Sequence, residues 1–136
     1  MTPPTGPGSA IAKTAEALVG APFRLHGRDP ATGLDCVGLV ACAMEGAGLS
    51  PVAPRGYRLR NISIAAHLDF ARRSGLVDAD GPLAPGDILL TLAGPAQHHI
   101  CVALGEQRYV HAHAGLRRVV LHAGSLPWPM IARWRA

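Results

Sequence analysis

The sequence predicts an α+β fold, with N-terminal helices packed on an antiparallel sheet formed by the C-terminal part of the chain. Three observations lead there. Helical periodicity and capping signals recur up to about Ser74. From Asp87 onward the pattern changes to short apolar segments separated by Gly and Pro clusters. Hydrophobic residues make up 49% of the 136 residues and charged residues 16%, so the chain is not intrinsically disordered and can bury a core without disulfide staples.

In chain order, residues 1–8, rich in Thr, Pro and Gly, are expected to form a flexible leader, and residues 9–136 a single domain. Ser9 is a candidate N-cap for a helix reaching about Val19, with Ile11, Ala15, Leu18 and Val19 on one apolar stripe; Gly20 and Pro22 end it. A loop runs from Ala21 to Gly33. Asp35 is placed to cap a second helix, Cys36 to about Gly46, which is apolar almost all round and therefore buried. Cys42 lies within it and reads as packing. After a loop over Gly48 to Gly56, a third helix is expected from Asn61 to about Ser74, with Ile62, Ala65, Ala66, Leu68 and Phe70 inside. Short strands follow at Asp87–Leu92, His99–Leu104, Arg108–His113, Arg117–Leu121 and Met130–Trp134. Trp128 and Trp134 are expected in the core.

Composition narrows the function. The formal charge is +4, but only Arg72-Arg73 and Arg117-Arg118 are adjacent basic pairs and aromatic residues are 4%, which excludes a nucleic-acid footprint. No apolar run approaches the roughly 18 residues of a membrane span. The N-terminus has neither the basic start nor the apolar stretch of a secretory signal, so the chain is expected to be made in the cytoplasm or to leave it by another route. Three cysteines, an odd number, leave at least one thiol free.

One of these thiols is placed for chemistry. Cys36 directly follows a helix cap, and a helix N-terminus favours thiolate and offers free N–H groups to an oxyanion. A nucleophile needs a base, and the base needs an orienting group. His99 and His111 lie on successive strands. A three-residue loop, Gly105-Glu106-Gln107, would pair Leu104 with Arg108, setting Cys101 opposite His111 and His99 opposite His113. All four then share one face, with His98 on the other. A helix-terminal Cys packed against a sheet presenting two His is a papain-like arrangement. Cys101 itself reads as a small buried residue. Asp87 is expected to close the turn after Pro85-Gly86.

The segments Val19-Gly20-Ala21-Pro22-Phe23, Gly33-Leu34-Asp35-Cys36-Val37-Gly38-Leu39-Val40, Leu83-Ala84-Pro85-Gly86-Asp87-Ile88-Leu89, His99-Ile100-Cys101-Val102-Ala103-Leu104-Gly105 and Tyr109-Val110-His111-Ala112 resemble, in order, the motifs of the NlpC-type cell-wall cysteine peptidases. The resemblance implies a papain-like α+β fold and hydrolysis of an amide in peptidoglycan stem peptides, typically between the γ-carboxyl of D-glutamate and a diamino acid. It implies Cys36 as nucleophile, His99 as base and then acid, and His111 as the residue that orients His99, with no metal or cofactor. It also implies contact of Asp35 with a substrate amine. Phe23 stands where the family has a Tyr near substrate, His26 where it has one of two Gly, and Val37 where it has Ser. The Val, the short loops and the bare single domain together resemble the phage-tail and gene-transfer-agent subgroup. The expected partners are therefore stem peptides and other tail hub or tip proteins, with action in the periplasm or wall after delivery by a particle.

Two other classes compete. A structural tail component with weak or lost peptidase activity would fit the Phe23 and Val37 changes. A zinc site built from Cys36, His99, Cys101, His111 and His113 lacks any C-x-x-C or H-E-x-x-H element. A serine hydrolase lacks its G-x-S-x-G elbow.

Overall fold

A computed structural model of the chain describes residues 6–54, 64–94 and 97–136. Helix α1 spans Pro7–Ala17, α2 Cys36–Gly46 and α3 Ile64–Arg73. A small hairpin joins β1 (Arg28–Asp29) to β2 (Gly33–Leu34) between the first two helices. The remaining strands are β3 (Val77–Asp78), β4 (Ile88–Gly94), β5 (Gln97–Gly105), β6 (Arg108–His113), β7 (Arg118–Ala123) and β8 (Met130–Arg135). They form one antiparallel sheet in the order β3-β8-β4-β5-β6-β7. The α+β class with helices first and an antiparallel sheet after is the one expected.

The helices cover one face of the sheet. Ile11 and Ala15 of α1, Leu39, Val40 and Met44 of α2 and Phe70 of α3 meet Leu90, Ile100, Val102 and Val110 in a single cluster. Most of these side chains are wholly withdrawn from water, each worth about 1.5–3 kcal/mol of hydrophobic stabilisation. The opposite face carries a smaller patch of Leu89, Ala103 and Tyr109, with Leu83 and Leu126 against it.

Several boundaries differ from expectation for physical reasons. Helix α1 begins at Pro7, two residues before the Ser9 cap, because Pro suits the first helical turn and Gly6 precedes it at φ 107°. The leader expected over residues 1–8 is therefore shortened; residues 1–5 lie outside the described residues. The helix also stops at Ala17, leaving Val19 40% exposed. The expected third helix covers Asn61 to Ser63, including Ile62, which lie outside the described residues. Within α3 the buried face is His67, Phe70 and Ala71, continued by Ser74, while Leu68 is exposed. That is the i, i+3, i+4, i+7 stripe of a half-buried helix, turned one residue from the expected face. Strand β3 and the β1–β2 hairpin were not expected: each strand has two residues, too few for a periodic signal.

Asp87 closes its turn by accepting from Ala84 N–H at 3.0 Å, as expected. It also receives Nε and Nη2 of Arg135 at 2.8 and 2.9 Å, fastening the last strand to the turn before β4. No helix among the described residues is long and apolar enough to cross a membrane.

Candidate active site

The site begins with the cap of α2. Asp35 is 2% exposed and its Oδ1 accepts from the Gly38 N–H at 2.8 Å. The same carboxylate accepts from the backbone N–H of His26 at 2.9 Å and from Nη1 of Arg28 at 3.0 Å. One buried side chain thus ties the loop over residues 24–28 to the first turn of α2. The loop meets the helix backbone to backbone: a Cβ on Gly38 would lie 2.0 Å from the Gly27 carbonyl oxygen. His26 sits in the left-handed region at φ 62°, a conformation that Gly adopts with less strain. These contacts place Asp35 in the scaffold that positions Cys36. Asp35→Ala is expected to cost roughly 3 kcal/mol in urea unfolding, since it removes a cap and a charged hydrogen bond together, with Asp35→Asn recovering part of the loss.

Cys36 is half-buried at the first residue of α2. Backbone N–H groups of Ile100, Val37 and Cys36 itself face its sulfur and favour thiolate. Burial and the nearby Asp35 charge outweigh them and push the thiol up to about 12. The expected preference for thiolate at a helix N-terminus is therefore present but overruled; at neutral pH the thiol keeps its proton.

The Ile100 contact puts Cys36 beside β5, at the residue that follows His99 in the strand. The hairpin behind it closes through a two-residue turn, Glu106-Gln107, both left-handed at φ 57° and 56°, with Gly105 opposite Arg108. The three-residue loop expected there is corrected to this turn plus a bulge at Leu104. The bulge restores the expected alignment at Ala103↔Tyr109 and Val102↔Val110. The described ladder ends there, although both strands continue. Beyond it His99 Nε2 and His111 Nδ1 lie 3.0 Å apart, their rings perpendicular. Across the sheet His98 faces His67 of α3, ring centres 6.4 Å apart.

The tautomers follow from the contacts. Committing His99 Nε2 to His111 leaves His99 Nδ1 as its other ring nitrogen. For Nδ1 to accept a proton, Nε2 must carry one and donate it to His111 Nδ1. Burial and the neighbouring His111 and His113 rings lower His99 to about 3, and burial with His113 and His122 lowers His111 to about 4. At rest, then, the Cys36 thiol and both imidazoles are neutral.

Cys101 is fully buried, and burial with the nearby Cys36 raises its thiol above the ordinary range. Phe23 packs against the main core and forms an isolated bridge with Leu34. Trp134 is a core residue as expected, but Trp128 is not: it is half-buried with its ring against both His99 and His111. Sequence reasoning also missed Arg28 and His67. The Arg28–Asp35 pair has only a loop spacing behind it, and His67 is a polar residue that takes a buried position on the amphipathic helix α3. Among the described residues no group of three or more His, Cys, Asp or Glu is arranged to hold a metal ion.

A helix-capped cysteine beside a sheet that carries a hydrogen-bonded histidine pair defines a papain-like class of α+β domain. The NlpC/P60 family profile matches residues 20–127, and the chain belongs to that family. Its fold is similar to NlpC2 from Trichomonas vaginalis, with TM-score 0.71 and 19% identity over 100% of this chain and 49% of that one. It is also similar to the NlpC/p60 domain of the peptidoglycan hydrolase SagA, with TM-score 0.64 and 23% identity over 95% and 98% of the two chains. The peptidoglycan hydrolase RipB from Mycobacterium tuberculosis gives TM-score 0.64 and 18% identity over 95% of this chain and 63% of its own. The chain spans about half the length of the Trichomonas proteins it resembles. No curated protein matches it at a significant level.

Proposed function

We propose that the protein is a cell-wall hydrolase that cleaves an amide in the peptide stems of peptidoglycan, the γ-D-glutamyl bond to a diamino acid, through a Cys36 thioester. The observation that carries this is the 3.0 Å His99–His111 hydrogen bond on the strand whose next residue, Ile100, offers its N–H to the Cys36 sulfur. Family membership and two structural relatives described as peptidoglycan hydrolases support it.

In this reading His99 Nδ1 takes the thiol proton as Cys36 Sγ attacks the amide carbon. The tetrahedral adduct collapses with rupture of the C–N bond, and His99 returns that proton to the leaving amine. Water then attacks the thioester, again giving its proton to His99, and the acid product leaves with the thiol restored. His111 accepts the His99 Nε2–H throughout and keeps the ring oriented. Asp35 acts by holding the first turn of α2, and Phe23 supports the strand bridge before it. Delivery by a particle tail, with action in the wall or periplasm, is proposed with this activity on the Val37 resemblance.

The test is digestion of peptidoglycan containing meso-diaminopimelate, with the muropeptides resolved by mass spectrometry. New fragments ending at the γ-carboxyl of D-glutamate are expected. Free glycan or lactoyl-muramyl products, or an unchanged profile, would refute the assignment.

A further inference from the structure

The His99–His111 pair lacks what an orienting carboxylate would supply. When His99 takes a proton it becomes an imidazolium beside another imidazole, with His113 and His122 centred 5.8 and 6.4 Å from His111. None of these neighbours is an anion. The third ring on the pair is the indole of Trp128, centred 5.5 Å from His99 and 5.3 Å from His111, at 83° and 89° to them. The three rings are mutually perpendicular, like the faces of a cube corner. Both distances fall within the roughly 6 Å over which an aromatic face attracts a cation, and perpendicular rings are the favoured edge-to-face geometry.

The loop that carries Trp128 is fastened around it. Leu126 packs into the Leu89–Ala103–Tyr109 patch. His122 Nε2 meets the Ser125 carbonyl at 3.0 Å, and the Pro129 carbonyl accepts from Leu92 N–H at 3.0 Å. Pro127 and Pro129 flank the Trp and restrict its backbone. A side chain held this firmly against two polar rings is built for a position rather than for bulk burial, and it is itself only half-buried while His111 is buried.

We propose that Trp128 is a positioning residue for His99 and His111: its indole locks the two rings at right angles, keeps water from their hydrogen bond and stabilises the imidazolium that forms during proton transfer. The proposal rests on the peptidase reading for its catalytic part, and on geometry alone for its structural part.

Two variants separate these parts. Trp128→Leu keeps apolar cover but removes the π face; Trp128→Phe keeps a smaller one. On a diaminopimelate-containing muropeptide, Trp128→Leu is expected to lower kcat about tenfold with KM within about twofold, and Trp128→Phe to recover most of that loss. In proton NMR of the free protein, the low-field resonance of the His99 Nε2–H is expected in wild type and Trp128→Phe, and lost to exchange with water in Trp128→Leu. A raised KM at constant kcat would make Trp128 a substrate contact and overturn the proposal. Unchanged kinetics with an unchanged resonance would overturn it as well. If wild type cleaves no muropeptide the peptidase reading falls, and the resonance alone decides the role of Trp128.

Discussion

Cys36→Ala is expected to leave no measurable hydrolysis of stem peptides, a loss of at least about 10,000-fold in kcat, because no other group supplies the electron pair that forms the thioester. The substitution deletes one half-buried sulfur and leaves the Asp35 cap intact, so the circular dichroism spectrum and melting temperature should stay close to wild type. His99→Ala should fall nearly as far. The thiol is pushed up to about 12, so without a base almost none of it ionises near neutrality. His111→Ala should cost less, about 100-fold, since it removes an orienting hydrogen bond and not the proton acceptor. The double variant Cys36→Ala/His99→Ala should be no worse than Cys36→Ala, as residues acting as a unit are not additive. Steady-state kinetics on a purified muropeptide reads all four. Cys36→Ala at wild-type rate would end the cysteine-peptidase assignment, whereas no cleavage by the wild-type protein would favour a structural role for a chain that keeps the fold.

How far the sequence carries the reader depends on whether a feature is local. Helix α2 is legible from end to end because its signals are its own: an Asp cap, then apolar residues on every side. Strand β6 is likewise delimited by its turn residues and appears with the expected bounds. The β5–β6 turn is legible only in its consequence. Two left-handed residues and a bulge at Leu104 yield the same alignment as a longer loop, so the face carrying His99 and His111 is anticipated from a different hairpin. The buried face of α3 is not legible, since choosing Leu68 over His67 follows side-chain hydrophobicity, and burial of His67 is decided by the sheet it meets. The ionisation of Cys36 is equally long-range. Its helix N-terminus can be read, while the burial that overrules it depends on β5, more than sixty residues away. Trp128 belongs to the same class: nothing near it in the chain points to two histidines on other strands.

Acid is expected to unfold this protein earlier than its composition suggests, and the cause is its buried histidines. Burial and the facing His98 lower His67 to about 4, and burial with neighbouring imidazoles lowers His99 to about 3 and His111 to about 4, against an ordinary value of 6.5. Between pH 6.5 and 4 the unfolded chain therefore binds protons that the folded chain refuses. Stability then rises with pH across that window and is lost as pH falls through it, by up to about 1.4 kcal/mol per pH unit for each such group. His99 and His111 share a hydrogen bond and take up protons as a pair, so His67 is the group to isolate. Both of its ring nitrogens are buried without a hydrogen-bond partner among the described residues, so it gains little by being polar. His67→Leu should keep the packing of α3, raise the melting temperature at pH 7.5 slightly, and raise it progressively more toward pH 4.5. Below that range Asp87 takes over: Arg135 and the Ala84 N–H hold its carboxyl below the usual value, and protonating it releases the last strand. Thermal melts of both proteins at unit steps from pH 7.5 to 4.5 test this directly. Curves that diverge as pH falls identify His67 as a source of acid lability. Parallel curves would mean that α3 opens to admit the proton before the fold is lost, and the burial argument would fail.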